Sequence, residues 1–414
     1  MWGLYKLGIF LYQLVEPVIS LFSKKIKRRR VQLNIQDSAL KRFSPGEKPV
    51  VWMHCASLGE FEQGRPVFEK IKQLYPHIST VLSFFSPSGY EKMKEYEMAD
   101  LVVYLPMDVP SKVSSFIRQI RPTLVLWIKY EFWWNALSIL HDKGVPVLLV
   151  SSLFRKGHYP VNIWGKAFMP VLRRFDRIFV QDLLSQKTLQ SYGLNNTEVI
   201  GDTRVDRVLT IFRDELALPD EILAFAEGYK VFICGSTWPE DERVIHNLIR
   251  YEMPTNWKVI LAPHDTSPVR IRQLKRAFPK SALWSEGDYC ARRILIVDNI
   301  GWLSRLYRLG AVAYVGGGFK TGLHNILEPA AFGLPIVFGM KYKKFREAVD
   351  LIEARGAFAI DSISSFHTIL EALFDDAFRM ETSQHVLDYI QQQAGATDKV
   401  MAYIKKKKYF EVGK

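Results

Sequence analysis

Short apolar runs alternate with amphipathic stretches along most of the chain from about residue 49 onward. Each run is followed by a segment with the 3.6-residue periodicity of a helix. Because the strands of parallel sheets are buried on both faces and are joined by helices, this alternation predicts parallel sheets covered by helices on both sides. The runs of the first series are VVWMHCAS, STVLSFF, LVVYLP, TLVLWI, VPVLLVSS, DRIFVQD and TEVIGD.

A charged, helical stretch near 205–228 interrupts the alternation, and a second series follows it. We predict that the connection between two domains lies near 208–229. We therefore predict an α/β protein with two doubly wound, Rossmann-like domains, 40–208 and 229–385, that face a central cleft. The stretch 386–414 is predicted as a C-terminal helical tail. The runs of the second series are KVFICGS, WKVILAP, ALWSE, RILIVD, AVAYVGG, LPIVFG and AFAI.

Residues 2–22 form a mostly apolar segment that is followed by a basic flank. On a helix its polar residues fall within one arc of roughly 80°. This pattern predicts a membrane-anchor helix with its flank over 1–30, lying in the interface; a tilted span and a core helix are the alternatives. The basic residues after the apolar run favour a cytoplasmic location for the rest of the chain. The polar residues are Lys6, Gln13, Glu16, Ser20 and Lys24.

The formal net charge of +13 favours an anionic partner, either nucleic acid, lipid headgroups or a phosphorylated substrate. Its placement favours anionic membrane lipids, because six basic residues directly follow the apolar segment. The three cysteines lie far apart without CxxC spacing, which predicts catalytic domains in a reducing compartment. The basic residues are Lys24, Lys25, Lys27, Arg28, Arg29 and Arg30.

Two acidic residues follow strand ends in the first domain. Glu60 comes after VVWMHCA and Glu131 follows TLVLWI. A carboxylate in such a turn can take a proton from an attacking hydroxyl. The alternatives are that Glu60 satisfies the dipole of a helix start and that Glu131 is a buried acid with a structural partner.

In the second domain, small residues at strand ends predict a nucleotide site. Gly235-Ser236-Thr237 ends the run KVFIC and has the backbone amides of a phosphate cradle. His264, after ILAP, can face the same phosphate, or it can be structural. The glycine-rich loop containing Gly317 and Gly318 leads into a further group, His324, Asn325 and Glu328. In this segment, the start of the predicted helix can bind phosphate, and Glu328 can bind ribose hydroxyls.

The segments HCASLGE and YEFWWN of the first domain and HNILEPAAFGLP of the second together resemble the 3-deoxy-D-manno-octulosonic acid (Kdo) transferases of lipopolysaccharide biosynthesis. The resemblance implies a GT-B glycosyltransferase that moves Kdo from CMP-Kdo to the lipid A precursor (lipid IVA) at the cytoplasmic face of the inner membrane. It also implies that no metal ion or other cofactor is needed and that nucleic acid is not a partner.

The resemblance assigns roles to the candidate residues. Glu60 matches the general base and Glu131 a second family acid. The nucleotide side is matched by Gly235, Ser236, Thr237, His324, Asn325 and Glu328.

Two segments depart from the family pattern. Ala262-Pro263-His264 lacks an arginine that the family often has, for which Arg270 and Arg204 are possible substitutes, and the family GNxKFD is matched only loosely at 201–206.

Two other functions remain open on the sequence. One is another GT-B enzyme that uses a UDP-sugar, either a lipid glycosyltransferase or an epimerase. The other is a membrane-tethered protein that binds a nucleotide without turnover.

Overall fold

The structure is a computed structural model that describes residues 2–411 except 156–164, 214–216, 252, 288 and 321. The chain divides into two compact units, one of residues Met1–Asp206 and Ala394–Lys414 and one of residues Arg207–Gln393. Each unit contains one seven-stranded sheet. The predicted pair of Rossmann-like folds is therefore confirmed.

The first sheet has the strand order β3-β2-β1-β4-β5-β6-β7, and its neighbouring strands pair in parallel. Seven apolar runs of the sequence form these strands. They are β1 (Val50–Cys55), β2 (Ser79–Phe84), β3 (Leu101–Tyr104), β4 (Leu124–Ile128), β5 (Val147–Ser152), β6 (Arg177–Val180) and β7 (Thr197–Val199).

Alternate residues of β1 point to opposite faces of the sheet and enter two separate cores. Val50 and Trp52 belong to one cluster of buried side chains, whereas Val51 and Met53 belong to the other. A strand buried on both faces must be apolar throughout, which explains the continuous run VVWM. The helices from α1 to α9 accompany this sheet along the chain. They are α1 (Trp2–Phe22), α2 (Lys24–Arg42), α3 (Leu58–Leu74), α4 (Pro87–Met93), α5 (Pro110–Ile120), α6 (Trp134–Asp142), α7 (Gly165–Leu172), α8 (Leu183–Gln190) and α9 (Thr203–Arg213).

The second sheet has the order β10-β11-β9-β8-β12-β13-β14 and is again parallel. Its strands are β8 (Lys230–Thr237), β9 (Trp257–Pro263), β10 (Ala282–Leu283), β11 (Ile294–Ile296), β12 (Gly310–Val315), β13 (Ile336–Gly339) and β14 (Ala357–Ile360). Its α-helices are α10 (Asp220–Ala226), α11 (Pro239–Tyr251), α12 (Pro268–Ala277), α13 (Leu303–Leu306), α14 (Leu327–Ala331), α15 (Arg346–Glu353), α16 (Ile363–Phe374) and α17 (Asp376–Gln393).

Two segments lie differently from the predicted domain limits. The stretch 208–229, predicted as a connection, contributes α10, whose Ile222 and Phe225 are buried in the core of the second unit. The stretch 386–414, predicted as a separate tail, is divided between the units. Its last helix, α18 (Ala396–Lys407), packs on α3, with Val400 and Ile404 in the same buried cluster as Phe61.

Helix α1 is the one helix of the described residues that is long and apolar enough to cross a membrane. Most of its apolar side chains are exposed, including Leu14 at 59% and Phe22 at 86%. One edge of the helix is fastened to the first unit, since the Tyr5 hydroxyl donates to an Asp108 carboxylate oxygen at 2.5 Å. The helix therefore presents a free apolar face while its position on the unit is fixed.

One residue of the basic flank after α1 is buried in the first unit and does not face outward. Arg29 is 4% exposed and donates to Glu16 at 3.1 Å and to the Leu105 carbonyl oxygen at 3.2 Å. Its guanidinium also lies 4.2 Å from the centre of the Phe85 ring. Arg29 therefore joins α1 and α2 to the end of β3, whereas Lys27, Arg28 and Arg30 are exposed and can face an anionic surface.

Candidate functional site

The strand order of the first sheet places β1 beside β4, and the chain winds outward from this pair in both directions. Ligands of open parallel sheets bind outside the carboxyl ends of the strands at such a reversal. Glu60 follows β1, and Glu131 follows β4. The two acids predicted from the sequence thus lie at the one point of this sheet where topology favours a site.

Glu60 lies in the first turn of α3, and its side chain folds back toward the strand. Its Oε2 accepts a hydrogen bond of 2.5 Å from the backbone N–H of Ala56. Burial raises the pKa of Glu60 to about 7; the Ala56 N–H lowers it, the negative charge of Glu131 raises it and the positive charge of Lys129 lowers it. A carboxylate with a pKa near neutrality is suited to accept a proton at physiological pH.

Glu131 is held by two tryptophans. The indole N–H of Trp133 donates to Glu131 Oε2 at 2.5 Å, and the indole N–H of Trp127 donates to the Glu131 carbonyl oxygen. Burial raises the pKa of Glu131, and the Trp133 hydrogen bond lowers it. Because both the side chain and the backbone are fixed, Glu131 is a rigid negative charge near Glu60.

A cavity of about 440 Å³ lies between α1 and the Glu131 segment. Apart from the carboxylate of Glu131, its lining is aromatic or apolar. The lining residues are Tyr5, Gly8, Ile9, Tyr12, Phe85, Met107, Tyr130, Glu131, Phe132 and Trp133.

His54, on β1, was assigned no role from the sequence. It is fully buried, its Nδ1 lies 2.9 Å from Ser83 Oγ, and Trp52 Nε1 donates to the same oxygen at 2.8 Å. Burial lowers the pKa of His54 to about 3, so the ring is neutral at pH 7. Its ring also packs 4.7 Å from Trp127. His54 therefore supports the tryptophan that fixes the Glu131 backbone.

The second sheet reverses direction between β8 and β12, and the predicted nucleotide residues follow these two strands and the adjacent β9. Gly235, Ser236 and Thr237 close β8, where Ser236 adopts a positive φ of 52°. The Thr237 hydroxyl is buried and donates to Glu242 Oε1 at 3.1 Å. In the predicted phosphate cradle, the Thr237 hydroxyl therefore already binds a residue of the protein.

Asp241, in the first turn of α11, links the end of β8 to the end of β12. It was not predicted from the sequence. Its carboxylate accepts from the Trp238 N–H at 2.8 Å, the Gly317 N–H at 3.0 Å and the Tyr314 hydroxyl at 2.7 Å. Burial raises the pKa of Asp241, while these three hydrogen bonds lower it. An acid in the first turn of the helix after Gly-Ser-Thr was the available sequence signal.

The glycine-rich loop after β12 is packed too closely to carry side chains. A Cβ on Gly316 would lie 2.3 Å from the Ser236 carbonyl oxygen, and one on Gly318 would lie 2.5 Å from the Gly339 nitrogen. Gly317 has a φ of 92°, and its N–H is already donated to Asp241. The glycines therefore permit the close approach of backbone to backbone.

Three rings meet beside this loop. The Trp238 and His324 rings are nearly coplanar, with an interplanar angle of 11°, and Trp238 Nε1 lies 3.0 Å from His324 Nε2. The His264 ring stacks 4.7 Å from Trp238 and 4.5 Å from His324. Burial and the charge of His264 lower the pKa of His324 to about 4. The structure thus brings His264 and His324 together through Trp238, which sequence reasoning missed.

Asn325 and Glu328 form a local pair at α14. Asn325 Nδ2 donates to Glu328 Oε1 at 3.0 Å, and Asn325 Oδ1 accepts from the Leu327 N–H at 3.1 Å. The Asn325 side chain thus caps the helix and orients the acid. Glu328 remains partly exposed.

The two suggested substitutes for the family arginine have partners of their own. Arg270 is hydrogen-bonded to Glu242, and Arg204 Nη2 donates to Asp202 Oδ2 at 2.6 Å. Arg204 belongs to the first unit, whereas His264 belongs to the second. In the part of the chain that the structure describes, no group of three or more His, Cys, Asp or Glu side chains is arranged to hold a metal ion.

Two solved structures illustrate the fold that this chain shares with known proteins. A putative UDP-N-acetylglucosamine 2-epimerase from Listeria monocytogenes superposes with a TM-score of 0.57 at 14% identity, over 89% of this chain and 98% of its own. MurG from Acinetobacter baumannii gives 0.56 at 11% identity, over 87% of this chain and 99% of its own. These neighbours establish the GT-B fold.

Sequence relatives give the function class. The family model for 3-deoxy-D-manno-octulosonic-acid transferase (kdotransferase) matches residues 27–207. A 3-deoxy-D-manno-octulosonic acid transferase from Haemophilus influenzae is 24% identical over 98% of this chain and 98% of its own. One from Aquifex aeolicus is 27% identical over 78% of this chain and 86% of its own. The chain is thus a glycosyltransferase with the GT-B fold.

More particularly, its sequence is similar to the Kdo transferases, to their family model over residues 27–207 and to individual relatives over most of the chain.

Proposed function

We propose that this protein transfers Kdo from CMP-Kdo to the lipid A precursor, lipid IVA, with inversion at the anomeric carbon and with Glu60 as the general base. The observation that carries the proposal is a carboxyl group with a pKa of about 7 at the topological reversal of the first sheet. Similarity to the Kdo transferases supports Kdo as the transferred sugar.

In the proposed step, the acceptor hydroxyl oxygen forms a bond to the anomeric carbon of Kdo while the bond from that carbon to the CMP phosphate oxygen breaks. The bonding electron pair leaves with the phosphate, and the hydroxyl proton passes to Glu60. The developing negative charge on the leaving phosphate needs fixed donors to stabilise it. Ser236 and His324, beside the glycine loop of the second unit, are the donors we propose.

Two groups complete the proposed roles. Glu131 raises the pKa of Glu60 and so strengthens it as a base. Asn325 and Glu328 are proposed to bind hydroxyls of the nucleotide sugar, since a carboxylate oriented by an amide accepts two such bonds. Gly235, Gly317 and Gly318 are proposed to let the backbone approach the ligand closely, because glycine has no side chain.

The lipid nature of the acceptor is supported by the cavity between α1 and Glu131. Aromatic and apolar side chains line it on the α1 side, so an acyl chain can lie along α1 while the sugar headgroup faces the carboxylates. We propose that the exposed apolar face of α1 lies in the cytoplasmic face of the inner membrane and that the exposed cations of the flank contact anionic lipids.

We also propose that turnover needs no bound metal ion, because protein donors would meet the charge of the leaving phosphate. Incubation with excess EDTA should then leave the rate unchanged. A rate restored only by added Mg²⁺ would contradict this part of the proposal.

The experiment that tests the proposal incubates purified protein with lipid IVA and either CMP-Kdo or UDP-N-acetylglucosamine. We expect release of CMP and a lipid product heavier by one or more Kdo residues in the mass spectrum. Release of UDP alone would point to another GT-B enzyme. Binding of CMP-Kdo without any product would point to a binding protein.

A further inference from the structure

The indole of Trp238 and the imidazole of His324 lie in nearly one plane and are joined edge to edge. Their interplanar angle is 11°, and Trp238 Nε1 is 3.0 Å from His324 Nε2. The His264 ring covers both, at 4.7 Å from the indole and 4.5 Å from the imidazole. The edge of His324 that faces Trp238 is therefore fixed.

This contact determines which nitrogen of His324 carries the proton. An indole N–H can only donate, so Nε2 must offer its lone pair. In a neutral imidazole the proton then sits on Nδ1. Burial keeps the pKa of His324 low, at about 4, so the ring is neutral at pH 7 and this tautomer follows.

The packing of the ring shows where Nδ1 lies. A Cβ on Gly317 would be 3.1 Å from His324 Cδ2, and the His324 backbone N–H donates to the Gly316 carbonyl oxygen at 3.2 Å. The Cδ2–Nε2 edge thus faces the glycine loop and Trp238, and Nδ1 is on the opposite edge. In the described part of the chain, no hydrogen bond from His324 Nδ1 to another residue is present.

We propose that Trp238 is a positioning residue that holds His324 as an Nδ1–H donor for an anionic oxygen of the bound sugar nucleotide. Two oxygens have the required chemistry, one on the nucleotide phosphate and one on a sugar carboxylate. The identity of the ligand rests on the proposed function. The tautomer of His324 does not rest on the proposed function, so an experiment can contradict the tautomer and the proposed function separately.

The first experiment measures the tautomer directly. Protein labelled with ¹⁵N at histidine is examined by NMR at pH 7.5, and the His324 signals are assigned by their loss in His324→Gln. We expect a protonated Nδ1 and a bare Nε2. A protonated Nε2 of His324 in the unmutated protein would overturn the proposal.

The second experiment removes the indole N–H with Trp238→Phe, which keeps an aromatic ring over His264. The Nε2-protonated form of His324 should then become substantially populated. Trp284→Phe is the matched control, since the Trp284 ring packs on Trp302 at 5.3 Å in the same unit. It should leave the His324 signals in place, and an unchanged tautomer in Trp238→Phe would also overturn the proposal.

Ligand affinity identifies the oxygen. If the competent tautomer falls from nearly all to a minor fraction, the Kd for its ligand rises in inverse proportion, by about 2- to 10-fold. A weaker affinity of Trp238→Phe for CMP, with cytidine binding unchanged, would assign the contact to the phosphate. A loss seen with CMP-Kdo but not CMP would assign it to the carboxylate. Equal affinities of both variants for all three ligands would contradict the proposal.

Discussion

Glu60 owes its proposed chemistry to its surroundings. Burial raises the pKa of its carboxyl to about 7 although the Ala56 N–H lowers it, and the nearby charge of Glu131 adds to the rise. The same carboxyl at an exposed helix start would be ionised far below neutrality and would be a weaker base. The pKa of the proposed base is thus set mainly by burial, with further effects of Ala56, Glu131 and Lys129.

The first prediction concerns the pH profile. Glu60 must be ionised to accept a proton, so kcat/KM should rise tenfold per pH unit below about pH 7 and level off above it. Glu60→Gln should abolish this limb and lower kcat by about 100-fold or more, while the Kd for CMP stays unchanged. A rate measurement from pH 5 to 9 in both proteins checks this, and a variant with near-normal turnover would exclude Glu60 as the base.

The second prediction concerns Glu131→Gln, which should shift the acidic limb of the pH profile without abolishing it. Its amide oxygen can still accept from Trp133, but the negative charge that raises the pKa of Glu60 is gone. The acidic limb of kcat/KM should therefore move to lower pH. A limb that stays in place or moves upward would show that Glu131 does not act on Glu60 through its charge.

Single residues also mark what the sequence could and could not predict. Glu60, Glu131 and His324 were predicted because parallel strands place their carboxyl ends together, so a polar residue after an apolar run is informative. Trp238 and Asp241 were missed, since their contacts depend on β8 lying beside β12, more than 70 residues along the chain. The burial of Arg29 was missed because a basic run predicts charge but not which member points inward.

At the scale of elements, the loop after β12 is built from glycines because it lies against two other backbones. Gly318 and Gly339 approach so closely that any side chain on Gly318 would meet the backbone of the next strand. Backbone cannot move aside as a flexible side chain can, so this contact fixes the loop. The position of His324 depends on it, because its N–H is donated to Gly316.

We expect Gly318→Ala to lower the free energy of unfolding by about 1–3 kcal/mol and to weaken CMP binding, because the added Cβ would separate the loop from β13. Gly59→Ala is the control. A Cβ on Gly59 would have no atom within 4 Å, and the residue lies in α3. This variant should therefore be neutral or more stable by up to about 1 kcal/mol. Urea denaturation and CMP titration measure both effects, and equal stability of the two variants would contradict the packing argument.

The packing of helices and strands also explains why the fold was easier to predict than the boundaries of the domains. Strand existence followed from runs such as VVWM, whose alternate residues fill both cores of the first unit. The ends of the domains did not follow, because the charged stretch near α10 and the helical end of the chain look alike in periodicity. Only the packing of Ile222 and Val400 shows which core each belongs to.

For the whole molecule, the net charge of +13 and the exposed face of α1 act together. In the proposed location at a membrane, the exposed apolar side chains would supply binding to the bilayer, and the cations would add attraction to anionic headgroups. Since Tyr5 and Arg29 fix α1 to the first unit, insertion of its outer face would orient that unit on the surface.

Vesicle binding tests this arrangement. Leu7→Asp with Leu14→Asp places two charges on the exposed face, at side chains 51% and 59% exposed, and should reduce the fraction bound to phosphatidylglycerol vesicles at least tenfold. Thermal unfolding should not change, because neither side chain is in the core. Met380→Asp, at a residue 70% exposed in the second unit, is the matched control. Binding by the unmutated protein should also weaken in 0.5 M NaCl.

The packing of α18 against α3 has a consequence for the order of folding. Residues 394–411 leave the ribosome only after both sheets have been synthesised, yet Val400, Met401 and Ile404 complete the apolar layer around the helix that carries Glu60. Until then this layer is open to water and to chaperones. The helix that carries the proposed base is therefore secured only after both sheets have been synthesised, so we expect Glu60 to reach its final surroundings late in folding.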